Sequence, residues 1–233
     1  QVQPSSGYYC LHIGLDKSAA DLGLNNANLW VYPDYDHDIN LKNYLDDNNQ
    51  PYPVVFISFP SAKDPDWENR YPGKSTVEVV TPANMDWFKQ WDESQWQRRG
   101  EDYEEFKAQF AERLMEKLFE RHPQLRDKLD YFELSTPLST NWYQKTSAGE
   151  MLALDHYVDR FKKPFLHPIT PVKNLYMTGS DIMTAGVGGA LMAGMMTTCA
   201  MQGRKAGEVV KLLKNYQQPT ESNDSHNQMV NES

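Results

Sequence analysis

The sequence has little basic charge and little cysteine, and each shortage excludes a class of protein. Lysine and arginine total 23 residues against 32 aspartates and glutamates, which leaves a formal net charge of −9. Because binding to DNA or RNA depends on clustered basic side chains that displace counterions from phosphates, nucleic acid is not an expected partner. The two cysteines, Cys10 and Cys199, have neither CxxC spacing nor the density of a secreted disulfide scaffold. We therefore expect a reduced, intracellular compartment, while one disulfide between them stays open.

The sequence also lacks a dinucleotide-binding fingerprint and any metal-ligand pattern. No GxGxxG motif occurs, and the nearest run, from Gly186 to Leu191, has leucine where the third glycine must stand. The six histidines show no paired-ligand spacing. The acidic stretch from Asp34 to Asp38 is followed by Ile39 and Leu45 at the positions where a calcium loop needs Gly and Glu. We therefore expect no metal site and interpret the acidic stretch as a solvated loop.

What the sequence does contain is enough apolar and aromatic surface to fold. Hydrophobic residues make up 39% of the chain and aromatic residues 12%, including six tryptophans, which is too much for a disordered chain. Runs of β-branched and aromatic residues bounded by turn residues predict strands that share one mixed sheet. These runs lie at 8–15, 28–32, 53–59, 75–80 and 129–134, with an acidic connection at 34–50.

Helix signals fall between and after these strands. Thr81-Pro82 and Thr136-Pro137 each combine an N-cap residue with proline at the first helical position, which predicts a helix start at both places. Apolar side chains at helical spacing predict one long helix over 101–121. A short strand over 175–178 is expected to lead into a second long helix that ends near residue 213, with a disordered tail after it.

The most informative segment places one acid and a group of glycines between that last strand and that last helix. Gly179 permits a tight turn, and Asp181 stands where acids accept hydrogen bonds from ligand hydroxyls in dinucleotide folds. Gly186, Gly188 and Gly189 lack side chains, so a flat ring or a phosphate can approach the N–H groups at a helix start, where the helix dipole favours negative charge. The spacing indicates a cofactor site. The alternative is that these glycines only let a helix pack closely against a sheet.

The run from Leu175 to Gly194 resembles the C-terminal flavin signature of the phytoene desaturase, carotenoid isomerase and retinol saturase family. The resemblance covers most of the chain to about residue 210 and includes four motifs upstream of that run. They are Phe59 to Pro65, the region from Trp91 to Tyr103, Ser135 to Leu138, and Arg160-Phe161.

The resemblance implies roles for four residues of the flavin signature. The acid at the position of Asp181 is expected to bind the ribityl chain of FAD. The helix start at Val187, Gly188 and Gly189 is expected to offer N–H groups to the pyrimidine edge of the flavin and so to stabilise negative charge on the reduced ring. The other two residues of the implied cofactor site are Gly179 and Gly186.

The resemblance also implies the fold and the domain organisation. It indicates an α/β protein that is the C-terminal part of a two-domain, Rossmann-like FAD-binding oxidoreductase. Residues 1–150 are expected to form a substrate-binding domain with a mixed sheet and helices. Residues 151–214 are expected to return to the FAD-binding domain, and residues 215–233 to form a disordered tail. A missing N-terminal half is expected to carry the GxGxxG motif, so this fragment alone is expected to be inactive.

The implied activity is chemistry on the carbon–carbon double bonds of an apolar polyene, either a carotenoid or a retinoid. Saturation, desaturation and isomerisation all fit the resemblance. FAD is the implied cofactor, with NAD(P) as a candidate electron partner. Because such substrates dissolve in bilayers, we expect a protein that is cytoplasmic or peripherally bound to a membrane surface. No catalytic side chain can be assigned from the sequence.

Two other functions stay open at this point. One is a non-catalytic lipid-binding or membrane-anchored module that uses the Gly- and Met-rich helix, since no charged residue occurs between Asp181 and Arg204. The other is a flavin amine oxidase, which shares the architecture but requires an amine substrate and an aromatic cage. Several side chains also have both an active-site and a structural interpretation: Trp142, Tyr143, His156, His167 and the aromatic residues of 87–96.

Overall fold

The computed structural model describes residues 2–216, which separate into two compact units. The first unit ends at Asp155, and the second begins at His156. The assignment of substrate binding to 1–150 and of FAD binding to 151–214 stays a prediction. The predicted tail lies outside the described residues from 217 onward.

The first unit is built on one five-stranded sheet. Its strands are β1 (Gly7–Leu15), β2 (Leu29–Val31), β3 (Val55–Ser58), β4 (Ser75–Ala83) and β5 (Leu129–Ser135). They lie in the order β2-β3-β4-β1-β5, and all four pairings are antiparallel. The predicted α/β class is confirmed, and so are the five strands predicted between residues 8 and 134.

The expectation of a mixed sheet is wrong, because β1 lies between β4 and β5. Both of these strands are antiparallel to β1, so they run in the same direction. A helix connects them along the chain, as in a parallel crossover unit. Since β1 separates them, they form no ladder with each other, and the described part of the chain contains no parallel pairing.

The helices are shorter and more numerous than the sequence predicts. The first unit carries α1 (His37–Asp46), α2 (Trp67–Arg70), α3 (Glu101–Phe119) and α4 (Pro137–Gln144), and the second carries α5 (Gly186–Gln202) and α6 (Ala206–Tyr216). Short 3-10 turns are found at Pro60–Lys63, Met85–Trp91, Pro123–Lys128, Val158–Lys162, Ser180–Ile182 and Gly203–Lys205.

The core of the first unit forms where α3 packs against the sheet. The apolar stripe predicted on this helix is buried at Tyr103, Phe110, Leu114 and Leu118. On the facing side, β1 buries alternate side chains, and the ring of Tyr9 lies 4.5 Å from that of Phe110 between centroids. The helical period of α3 and the two-residue period of β1 therefore bring their apolar sides together.

One of the two predicted Thr-Pro helix starts is confirmed and the other is wrong. Thr136 is the N-cap of α4 and forms a capping box with Ser139. Thr81 instead lies within β4, where its hydroxyl donates to the carbonyl oxygen of Val54 over 2.7 Å. The next helical turn starts only at Met85, and its N-cap is Asn84. A hydrogen bond across the sheet therefore outweighs the local capping signal.

The predicted connection at 34–50 and the predicted long C-terminal helix also need correction. The connection contains α1, of which Tyr44 is the buried residue, so it has too few apolar positions to show helical periodicity. The long helix is interrupted at Gly203, whose φ of 54° ends α5 before α6 begins. Within residues 2–216, no helix is both long enough and apolar enough to cross a bilayer.

A histidine with acidic and thiol neighbours lies on the sheet face opposite to the core. His12 Nδ1 lies 3.8 Å from the Cys10 sulfur and 3.6 Å from a carboxylate oxygen of Glu78, and Nε2 lies 3.1 Å from the Ser135 hydroxyl. Cys10 and then Glu78 raise the pKa of His12 to about 10, against the opposing effect of partial burial. The same contact lowers the pKa of Glu78.

We expect Leu114→Ala to lower the free energy of unfolding by about 2–5 kcal/mol, because it leaves a cavity between α3 and the sheet. Leu114 is 0% exposed. Urea unfolding followed by tryptophan fluorescence measures the change. The matched control is Glu112→Ala on the exposed side of the same helix, expected within about 0.5 kcal/mol of the unsubstituted chain. Equal effects of the two substitutions would contradict the packing described for α3.

We expect His12 to titrate far above its ordinary pKa, and Glu78→Gln to lower that pKa, as measured by NMR of the imidazole. The folded pKa of about 10 lies above the unfolded value. The stabilisation is therefore fully present below about pH 6.5 and is lost as the pH rises toward the folded value. Glu133→Gln is the control, since its carboxylate accepts from Tyr131 instead. An ordinary pKa for His12 in the unsubstituted chain would refute this account.

Candidate functional site

The predicted cofactor-binding residues lie in the second unit, on a turn that leads into α5. Gly179 and Gly186 have φ values of 93° and 87°, in a region that residues with a side chain rarely occupy. Between them, the 3-10 turn Ser180–Ile182 carries Asp181 at an exposed position. The two glycines therefore make the two bends that present the acid on one side and the helix start on the other.

The side chain of a buried arginine binds the backbone of this turn. Arg160 is 1% exposed. Its Nη2 group donates to the carbonyl oxygens of Ser180 (2.7 Å), Asp181 (3.0 Å) and Met183 (3.2 Å). Because a buried charged group must be hydrogen-bonded, these contacts fix the path of the turn. The backbone of Asp181 is thus held in place while its carboxylate is exposed.

A histidine binds the far end of the same turn. The N–H of Ala185 donates to Nε2 of His156 over 2.8 Å. A ring nitrogen can accept this bond only when it carries no proton, so this contact requires the neutral imidazole with its proton on Nδ1. His156 had both an active-site and a structural interpretation in the sequence, and its contact here is with the residue that precedes α5.

The start of α5 presents the features that an anionic or electron-rich ligand edge needs. The N-cap residue, Ala185, makes no side-chain capping bond, and the first N–H groups of a helix have no partner within it. Val187 is 87% exposed. A Cβ atom added at Gly186 or Gly188 would meet no other atom within 4 Å. The donors, the helix dipole and the open approach together fit the flavin edge that the resemblance implies.

Gly189 differs from its neighbours because it is buried. A Cβ atom at this position would stand 1.9 Å from the carbonyl oxygen of Thr184. Glycine is therefore required here by the close approach of the turn to the first helical turn of α5. The predicted N–H contact between Gly189 and a flavin stays a prediction, and the packing role is one that the alternative interpretation of these glycines anticipated.

The strand predicted over 175–178 does not form within the described residues. Tyr176 makes an isolated bridge to Ile169, and the N–H of Met177 donates to the carbonyl oxygen of Pro168. The hydroxyl of Thr197 on α5 lies 2.8 Å from the carbonyl oxygen of Met177. A β-prone run needs a neighbouring strand to form a ladder, and here its contacts are with a loop and a helix.

The remaining candidates divide between surface and core. Phe88 and Trp91 are buried in the core of the first unit. Trp96 stacks on Trp142 with ring centroids 5.5 Å apart, and Trp142 and Tyr143 are 44% and 71% exposed. In the second unit, His167 accepts the N–H of Ile169 within its own loop. None of these contacts tests the active-site interpretation of these side chains.

Sequence reasoning missed the roles of Arg160 and Thr184. Arg160 entered only as part of a motif shared with the family, and no spacing rule connects it to residues about twenty positions later. Thr184 was one of several polar residues in the Gly-rich run. No local pattern shows that Arg160 is buried, because the acceptors that surround it come from residues 180 to 183.

Comparison with known proteins shows which proteins this chain is similar to. No protein-family model matches the chain. The chain is 36% identical over 196 residues to the all-trans-retinol 13,14-reductase of Danio rerio, and 34% identical over 212 residues to that of Homo sapiens. It is also 31% identical over 210 residues to a Danio rerio protein named inactive all-trans-retinol 13,14-reductase. This chain is a homologue of the all-trans-retinol 13,14-reductases.

The similarity confirms the family resemblance found in the sequence and has a defined extent. The three alignments cover 81%, 86% and 87% of this chain but 32%, 34% and 34% of the respective reductases. The chain therefore spans about a third of the length of the curated reductases that it matches. One of these relatives carries the word inactive in its name. Similarity to these reductases therefore does not establish turnover, which needs its own assay.

We expect Gly189→Ala to destabilise the second unit by about 1–3 kcal/mol, because the new methyl group would overlap the backbone of Thr184. Hydrogen exchange of the α5 amides measures the effect. The control is Gly194→Ala in the same helix, where a Cβ atom meets nothing within 4 Å and alanine should stabilise the helix by about 0.5–1 kcal/mol. If the α5 amides of Gly189→Ala exchanged as slowly as those of the wild type, the close contact between the turn and α5 would be refuted.

Proposed function

We propose that this chain is part of an FAD-dependent oxidoreductase that reduces a carbon–carbon double bond of a retinoid or a related polyene. The observation that carries the proposal is the uncapped, glycine-rich start of α5 beside Asp181, in a chain homologous to retinol reductases. The first part of this observation supports flavin binding, and the second part supports the substrate class.

Five backbone positions and one side chain would hold the cofactor. The exposed carboxylate of Asp181 would accept hydrogen bonds from ribityl hydroxyls. The N–H groups at Val187, Gly188 and Gly189 would face the pyrimidine edge, where the positive end of the helix dipole favours negative charge. Gly179 and Gly186 would let the turn approach the ring system without a side chain in the way.

FAD, when bound, supplies two-electron transfer to or from the substrate. Saturation of one double bond adds a hydride and a proton, so the proposal includes NAD(P)H as the source of the hydride and water as the source of the proton. The residues of this chain would orient the cofactor and would favour its reduced, anionic form. We assign no side chain to the proton transfer.

The domain roles belong to the same proposal. Residues 1–150 would contribute to substrate binding and residues 151–214 to FAD binding, with the GxGxxG motif in a part of the protein that this chain does not include. An apolar substrate of this kind dissolves in bilayers, which supports a peripheral contact with a membrane surface.

A flavin spectrum and a substrate assay test the proposal on the longest natural protein that contains this chain. We expect bound FAD with visible absorption, and loss of the 13,14 double bond of all-trans-retinol under anaerobic conditions with NAD(P)H. We expect Asp181→Asn to weaken FAD binding by about 10- to 150-fold, because hydrogen bonds to a charged acceptor are lost. Fluorescence titration of the flavin-free protein measures this change.

The control variant is Asp159→Asn, which removes an exposed acid of the same unit that pairs with Lys162 over 2.9 Å. Its effect on FAD binding should be less than about threefold. A protein that folds but binds no flavin would support the lipid-binding alternative. Flavin binding with turnover of an amine and none of retinol would support an amine oxidase. Flavin binding without any turnover would indicate a protein without reductase activity, like the relative named inactive.

A further inference from the structure

The segment from His156 to Arg160 contacts both ends of the turn that precedes α5. Arg160 binds the carbonyl oxygens of Ser180, Asp181 and Met183, and His156 binds the N–H of Ala185. The two side chains lie four positions apart, with His156 before the 3-10 turn Val158–Lys162 and Arg160 within it. One short segment therefore holds the turn at its acidic end and at its helical end.

The contact at Arg160 restricts the backbone more than a single hydrogen bond would. One guanidinium group within hydrogen-bond distance of three carbonyl oxygens requires them to converge on one point. Removing a guanidinium from water is costly, and losing any of these acceptors would leave part of the buried charge without compensation. The turn between its two positive-φ glycines is thus held in one of the several conformations open to it.

The contact at His156 acts on the other side of the glycine bend. It places the amide of Ala185, and Ala185 is the residue from which α5 starts. The carbonyl group of Thr184, next to it, approaches Gly189 so closely that no side chain fits between them. Contacts thus run without a gap from His156 through residues 184 and 185 to the first turn of α5.

We propose that His156 and Arg160 are positioning residues that set the turn and the start of α5 in the geometry that binds the flavin. This inference rests on the proposed function, because it assigns these two side chains to the site described there. Neither residue needs to touch the cofactor. Each acts through the backbone groups that present Asp181 and the N–H donors of the helix.

The decisive experiment compares two substitutions of His156 in the longest natural protein that contains this chain. His156→Leu removes the acceptor, whereas His156→Gln keeps an acceptor at a similar distance from the backbone. We expect His156→Leu to weaken FAD binding by about 5- to 30-fold, as expected for one lost hydrogen bond. His156→Gln should recover most of this loss. Titration of the flavin-free protein with FAD measures both values.

Two further measurements separate positioning from general stability. In the flavin-free protein, His156→Leu should speed hydrogen exchange at 179–190 and leave exchange at 195–202 unchanged. In the flavin-loaded protein, it should lower the flavin reduction potential, because the N–H groups that stabilise the reduced ring lose their alignment. The matched control is His167→Leu, which also removes a histidine acceptor of a backbone N–H in the same unit, but the N–H is that of Ile169 in another loop.

Arg160 is tested by the pair Arg160→Lys and Arg160→Met. Lysine keeps the charge with a single donor group, so we expect weaker FAD binding than in wild type and tighter binding than in Arg160→Met. Should Arg160→Met fail to fold, the His156 pair still decides the outcome. The inference is overturned if wild type binds FAD while His156→Leu and His167→Leu bind it equally well. Absence of FAD from a folded wild-type protein would instead refute the proposed function, and the inference with it.

Discussion

A buried guanidinium group has to be surrounded by acceptors, and in the second unit Arg160 finds at least three of them on one backbone turn. The turn must therefore curve around the arginine, which brings its carbonyl groups inward and leaves the carboxylate of Asp181 exposed. The glycine bends at both ends make this curvature possible. The second bend, at Gly186, also sets the position at which α5 begins. The geometry of the candidate site depends on this one contact more than on any other.

Much of the first unit could be predicted from the sequence, because its signals are periodic. The apolar stripe of α3 and the alternation of β1 were each visible alone, and their periods fix which sides face the core. The sheet order could not be predicted, since nothing local shows that β1 lies between β4 and β5. Thr81 shows the same limit, because its hydroxyl bonds to Val54, which is distant in sequence.

In the second unit, the sequence predicts candidate site residues but not the structure that supports them. The acid and the glycines could be recognised from their spacing and from the family signature. Their support could not, because Arg160 and His156 act on residues twenty or more positions away, and neither shows a periodic pattern. The run at 175–178 has strand composition, but a strand forms only where a neighbour supplies hydrogen bonds, and here Thr197 on α5 provides one of the contacts instead.

The glycines of the flavin signature have two physical roles that one sequence pattern cannot separate. Gly186 and Gly188 face open space, where the absence of a side chain leaves room for something that approaches from outside, and Gly186 in addition makes a bend at a positive φ. Gly189 faces the backbone of Thr184, where the absence of a side chain matters to the fold itself. The cofactor interpretation and the packing interpretation are therefore compatible within one helical turn. Close packing at Gly189 holds the turn against α5, and that contact keeps the two open glycines in place beside Asp181.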